Sequence, residues 1–237
     1  MDYTFFNPVT PKQKFLLKTF SHVNRFFANL KWNIEIAPKP ANDEMITVEQ
    51  RINMFHFANE MLVHNIPGDF VELGTYTGNS SLQIQTILEN FKSDKQFHVY
   101  DAFNLTNDPA TNFKNIFIEN FKKANLKLPQ IHEGFFRETV PAELPRKLAF
   151  IHIDCTTEFD QIKLMDLILY LLEHIYPRMT SRAICMIMDY HDVNKTVRGL
   201  KTYPCVKEAC DLFFEDKPEK VHVLYGNHFS HGYFRKK

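Results

Sequence analysis

The stretch Gly68-Asp69-Phe70-Val71-Glu72-Leu73-Gly74-Thr75-Tyr76-Thr77-Gly78-Asn79-Ser80-Ser81 limits the folds open to this chain more than any other. A short apolar run, Phe70 to Leu73, breaks into a loop with glycines at 74 and 78. Small polar residues then lead into an apolar-periodic segment. That is the order strand, glycine turn, helix. Glycine admits backbone angles and a closeness of approach that a Cβ forbids, and the N–H groups at the next helix start can face a ligand. Such a turn at the carboxyl end of a parallel strand is where open α/β sheets bind cofactors. The spacing is not the G-x-G-x-x-G of a dinucleotide turn. Nor is it a phosphate-binding loop, because no lysine follows Gly78.

The rest of the chain continues the alternation. Residues 11–31 read as a basic amphipathic helix, suited to packing on its own domain, a dimer contact, a partner or a membrane surface. A proline-rich connector at 36–44 separates it from a helix that starts at Thr47, with Gln50 placed as capping-box partner. In that helix Val48, Ile52, Phe55 and Leu62 recur at helical spacing. Strands are expected at 70–73, 96–101, 130–132, 148–154 and 183–188, and helices at 80–90, 112–123, 159–175 and 204–215. Met165, Ile168, Leu169, Leu172 and Ile175 mark the inward face of the helix at 159–175. Residues 220–225 and 229–234 flank Gly226-Asn227-His228, a hairpin signal. Strands alternating with helices predict a doubly wound, mostly parallel α/β sheet of about seven strands. Its last strand is antiparallel, and residues 1–45 form a helical extension to a domain over 46–237.

Charge excludes one class of partner. Lys+Arg and Asp+Glu both number 28, so no basic excess attracts a nucleic-acid backbone. The cysteines, 155, 185, 205 and 210, form no C-x-x-C pair and fit reduced thiols. No signal peptide is evident, and no run approaches the ~18 apolar residues of a membrane span. A cytoplasmic protein without a transmembrane segment is expected, with homo-oligomerisation left open.

Four successive strands close on Glu72, Asp101, Asp154 and Asp189. In a parallel sheet these ends share one edge, beside the glycine turn. Acids gathered there repel one another unless a cation or hydroxyl donors occupy the cleft. Asp101, at the end of the second strand, is placed to take the hydroxyls of a ribose. A cationic adenosine ligand without phosphate satisfies both demands, and S-adenosylmethionine (SAM) is one.

Several segments resemble the macrocin O-methyltransferase family: Glu49 through Ile66-Pro67-Gly68-Asp69-Phe70-Val71-Glu72-Leu73-Gly74 to Gly78, Asp101-Ala102-Phe103, and Gly134-Phe135-Phe136-Arg137-Glu138-Thr139-Val140-Pro141. Ile175-Tyr176-Pro177-Arg178-Met179 and Pro204-Cys205-Val206-Lys207-Glu208-Ala209-Cys210-Asp211 continue it. In order, they cover about residues 49–215, leaving 1–45 outside. The resemblance implies a class I SAM-dependent methyltransferase fold and O-methylation of a sugar or glycan hydroxyl. It implies cofactor contacts from Glu72, Gly74, Thr75, Tyr76, Gly78, Asn79, Ser80, Asp101, Ala102, Phe103, Gly134, Phe135, Phe136 and Asp154. It also implies a divalent metal such as Mg²⁺ on Asp154 and Asp189, which would hold and acidify the acceptor.

The chain departs from the family twice. Asp154-Cys155-Thr156 replaces Asp-Gly-Asp and lacks the expected base, and Met188-Asp189-Tyr190 replaces Asp-Asp-Tyr and lacks one metal ligand. His191 or Asp192 can supply the missing base. Otherwise catalysis is metal-free, or SAM is bound without turnover. A non-sugar diol or catechol is the alternative acceptor. The missing G-x-G-x-x-G counts against an NAD-dependent oxidoreductase, and the missing Asn-Pro-Pro-aromatic motif against base methylation of nucleic acid.

Overall fold

A computed structural model describes residues 14–32, 34, 36, 46–104, 112–155, 160–192, 203–226 and 229–237. The helix start before Lys14, the 37–45 part of the connector, Thr156, residues 193–202 and the turn residues Asn227 and His228 lie outside the described residues. The chain divides into two compact units, Asp2–Met45 and Ile46–Lys237. The first carries α1 (Lys14–Asn29). Within it, Asn24 exchanges two hydrogen bonds with the Ile36 backbone, and the Phe27 and Trp32 rings stack.

The second unit runs α2 (Val48–Val63), β1 (Asp69–Leu73), α3 (Asn79–Asn90), β2 (Phe97–Asp101), α4 (Phe113–Ala124) and β3 (Gln130–Glu133). It continues with α5 (Phe136–Glu143), β4 (Leu148–Ile153), α6 (Gln161–Ile175), β5 (Met179–Met188), α7 (Pro204–Phe213), β6 (His222–Gly226) and β7 (Phe229–Arg235). The strands form one sheet in the order β3-β2-β1-β4-β5-β7-β6. Pairs from β3 to β5 are parallel, and β7 runs antiparallel between β5 and β6. Every residue of β4 is buried, with β1 and β5 hydrogen-bonded along its two edges. No helix among the described residues is long and apolar enough to cross a membrane.

Local chemistry explains most boundaries. The Thr47 hydroxyl accepts from the Gln50 N–H, and the Gln50 side chain accepts from the Thr47 N–H, so α2 starts on a reciprocal cap. Its buried face is Gln50, Met54, Ala58 and Met61. Of the residues that recur at helical spacing, Val48, Phe55 and Leu62 are half-buried and Ile52 is exposed. In α6 the inward set is Leu164, Ile168, Leu171, Leu172 and Ile175, while Met165 and Leu169 are half-buried.

Two elements depart further from the expected pattern. Helix α5 escapes a reading of the sequence because Pro141 lies inside it. A proline there removes the hydrogen bond to the carbonyl four residues back. That carbonyl, on Arg137, instead accepts from the Tyr170 hydroxyl, and Arg178 donates to the carbonyls of Pro141 and Leu144 at the far end. Strand β5 begins at Met179 rather than Ala183. A register shift and a positive φ at Arg182 carry the polar Thr180-Ser181-Arg182 segment through the sheet, with Arg182 bonded to Lys236.

Candidate cofactor and acceptor site

The carboxyl edge of the sheet is organised by the loop after β1. Gly74 donates its N–H to the Tyr100 carbonyl, and Asp154 donates to Leu73, so the ends of β2 and β4 grip the loop from both sides. The grip leaves no room for a side chain. A Cβ on Gly74, whose φ is +89°, would lie 1.8 Å from the Asp154 carbonyl oxygen. Gly78 closes a turn onto Thr75 at 2.8 Å and opens α3, whose first turn has no side-chain cap. A Cβ there would meet the Phe117 ring at 2.7 Å. Asn79 and the buried Ser80 are the first residues of that helix.

Asp101 ties the loop down. Its Oδ2 accepts the N–H groups of Thr75 (2.7 Å) and Tyr76 (2.9 Å), and its Oδ1 accepts that of Phe103 at 2.6 Å. A carboxylate offers about four acceptor positions. Three are filled by the described residues, which leaves one acceptor position on Oδ1. Asp101 also gives its carbonyl to the Gly134 N–H, which brings Gly134 and Phe135 alongside.

The three candidate aromatics part company. Phe103 is buried edge-on against Phe117, a core contact. Phe136 is half-buried at the head of α5, and Ala102 is half-buried beside Asp101. Phe135, 58% exposed, is the one with an open ring face next to Asp101.

Glu72 does not stand at the rim. Leu73 follows it in the strand, and its fully buried carboxylate points inward, where Ser81 donates to Oε2 and His152 Nδ1 lies 2.7 Å from Oε1. The Ser81 hydroxyl also meets that of Thr75 at 2.7 Å, so this chain runs from the sheet interior to the glycine loop. On the same face, Asn53 of α2 reaches His231 Nε2 at 2.9 Å. Burial, with the charge of His152 adding to it, pushes His231 from 6.5 down to about 4.

This depression sets a pH dependence. Between these values the unfolded chain binds the proton and the folded chain does not, so stability falls as pH drops from 6.5 toward 4. Against His231→Gln, the wild type is expected to lose on the order of 2–3 kcal/mol across that window, at about 1.4 kcal/mol per pH unit. Urea unfolding of both proteins at each pH checks this. A stability difference that stays constant with pH would contradict it.

Asp154 follows β4 and Asp189 follows β5. Desolvation, opposed by His152 and reinforced by the charges of Asp189, Glu72 and Asp101, pushes the Asp154 carboxyl up to about 7. The acids therefore do converge at this edge, with Asp189 in a left-handed conformation (φ 54°). Burial also raises the neighbouring Cys155 thiol far above its usual range, which leaves it inert. Asp154 and Asp189 offer two hard donors. Among the described residues no three His, Cys, Asp or Glu side chains come together as a metal site, and Met188 is a buried thioether where a third carboxylate would stand. The described residues by themselves do not fit the divalent ion that the resemblance implies, which takes about six oxygen ligands.

His191 is 2% exposed, and Asp192 beside it is also buried. The His191 Nδ1 meets the Ser230 hydroxyl at 2.7 Å, while Nε2 is buried with no hydrogen-bond partner among the described residues. Burial lowers its pKa, partly offset by the charge of Asp189, so it is a neutral imidazole near pH 7. Ser230, Ser81 and His152 are the participants that motif reading missed. Their signal is weak but real: polar residues at inward positions of otherwise apolar strands or at a helix start.

A rim with this strand order, a glycine loop at the end of β1 and an acid at the end of β2 is the class I methyltransferase arrangement. A model of the macrocin-O-methyltransferase family matches residues 22–210, beginning well before residue 49 and inside α1. The chain belongs to that family of O-methyltransferases. A comparison with curated proteins finds no match. Among solved structures, the O-methyltransferase NovP is 20% identical, with 84% of each chain covered and a TM-score of 0.66. PaMTH1 of Podospora anserina, bound to S-adenosylhomocysteine (SAH), is 15% identical over 97% of this chain and 99% of its own, with a TM-score of 0.59. CalS11, a TDP-rhamnose 3'-O-methyltransferase of calicheamicin biosynthesis, is 17% identical over 99% of both chains, with a TM-score of 0.55. At these identities the structures speak for the fold.

Proposed function

We propose that residues 46–237 bind SAM and transfer its methyl group to a sugar hydroxyl, with His191 as the base. The observation that carries this is the glycine loop, held on Asp101 by its Thr75 and Tyr76 N–H groups, with an acceptor position of Asp101 left open. The ribose binds that position, and adenine covers the open face of Phe135. Gly74, Gly78, Asn79 and Ser80 line the path of the cofactor past the start of α3. Asp154 and Asp189 favour a positive charge between them, as a sulfonium supplies.

SAM when bound supplies a methyl group on a cationic sulfur. With SAH as the leaving thioether, that methyl would pass to an acceptor oxygen that the chain holds in line, and His191 Nε2 would take the hydroxyl proton. The protein's share is alignment and proton removal. His191 is preferred over Asp192 because its Nε2 is a buried acceptor with no donor among the described residues, and a substrate hydroxyl is such a donor. The sugar acceptor is supported by family membership and by the kinship in fold to CalS11.

Transfer of labelled methyl to TDP-rhamnose, other nucleotide-linked sugars and catechol tests the reading. Product is expected on a sugar, and His191→Ala is expected to lower turnover by roughly 10²-fold or more with SAM affinity retained. Product on catechol alone would move the acceptor class. Tight SAM binding with no product on any acceptor would favour the second reading, a binding module without turnover, to which the short donor set at Asp154 and Asp189 lends weight.

A further inference from the structure

We infer that Ser230 is a positioning residue: it fixes His191 in the tautomer whose lone pair sits on Nε2. The inference rests on His191 acting as base and adds what makes that nitrogen the basic one. A serine hydroxyl has one proton. In this structure the Ser230 Oγ lies 2.6 Å from the Tyr190 carbonyl oxygen, which can only accept, so the proton is committed there. The same Oγ lies 2.7 Å from His191 Nδ1. With its proton spent, Oγ meets the imidazole as an acceptor, and Nδ1 must be the protonated nitrogen. Nε2 then holds the lone pair, buried and without a partner among the described residues. The other tautomer would set two lone pairs against each other across 2.7 Å.

The placement follows from the sheet. Strand β7 runs antiparallel to β5 with Met188 opposite His231, so Ser230 falls one step beyond the last pair. It therefore lies beside Tyr190 and His191, where the chain leaves β5 toward the rim. Ser230 is 2% exposed, so water does not compete for either bond. A base held this way starts each turnover in the right tautomer, as an acidic partner does for histidine elsewhere.

Nitrogen NMR of the His191 ring in the full-length protein tests this without any acceptor. The wild type is expected to show Nδ1 protonated and Nε2 bare, and Ser230→Ala to show a mixture or the reverse. An Nε2–H tautomer in the wild type overturns the inference. Turnover on the sugar that the acceptor panel identifies adds a second readout. Ser230→Ala is expected to lower kcat about 10-fold with KM for SAM unchanged, Ser230→Thr to recover most of it, and Ser230→Ala to cost nothing further in a His191→Ala background. Full kcat in Ser230→Ala while His191→Ala is impaired overturns the role of Ser230 and leaves the base standing. Wild-type kcat in His191→Ala overturns the base itself.

Discussion

Replacing Gly74 with alanine is expected to destabilise the protein by about 3–5 kcal/mol, because the new Cβ overlaps backbone and sits at an unfavourable φ. The methyl would lie 1.8 Å from the Asp154 carbonyl oxygen and 2.6 Å from its carbonyl carbon, and neither atom can swing away as a side-chain end can. Relief requires β1 and β4 to part at the rim. That breaks the Asp154–Leu73 bond and moves the loop off Asp101. Thermal unfolding should fall by roughly 10 °C for a unit of this size, and whatever folds should have lost SAM binding. A variant that melts with the wild type and binds SAM normally would show that the two strand ends are not pinned as described.

The second large effect concerns Glu72. His152→Leu leaves a carboxylate at zero exposure with Ser81 as its remaining donor. Breaking a buried pair by removing one partner costs about 3–5 kcal/mol. Replacing both, as Glu72→Met with His152→Leu, should recover much of that, since two apolar groups need no partner. Urea unfolding of the single and double variants distinguishes the cases. A double variant as unstable as the single would mean that the pair itself is not what the core depends on, and that the shape of the histidine is.

Much of this molecule could be anticipated from local chemistry. The Thr47–Gln50 cap, the Gly74 turn and the alternation of apolar runs each depend on residues a few positions apart, so spacing alone locates them. Asp101, Asp154 and Asp189 were readable as rim acids for the same reason: each directly closes a strand. Glu72 misleads because it is one residue short of its strand's end, and strand alternation turns that single step into the opposite direction. Helix α5 was hidden by Pro141, whose cost is offset by Tyr170 and Arg178 from distant segments. The partnership of His191 with Ser230, and of Asn53 with His231 across 178 positions, depends on β7 entering between β5 and β6. No local pattern contains that register.

Cofactor recognition at the sheet's carboxyl edge is the claim on which the chemistry depends, and calorimetric titration of the purified full-length protein addresses it most directly. SAM and SAH are expected to bind at one site each, with NADH showing no heat of binding, and Asp101→Ala is expected to abolish both interactions. Uptake of NADH with no response to either adenosyl compound would contradict the account.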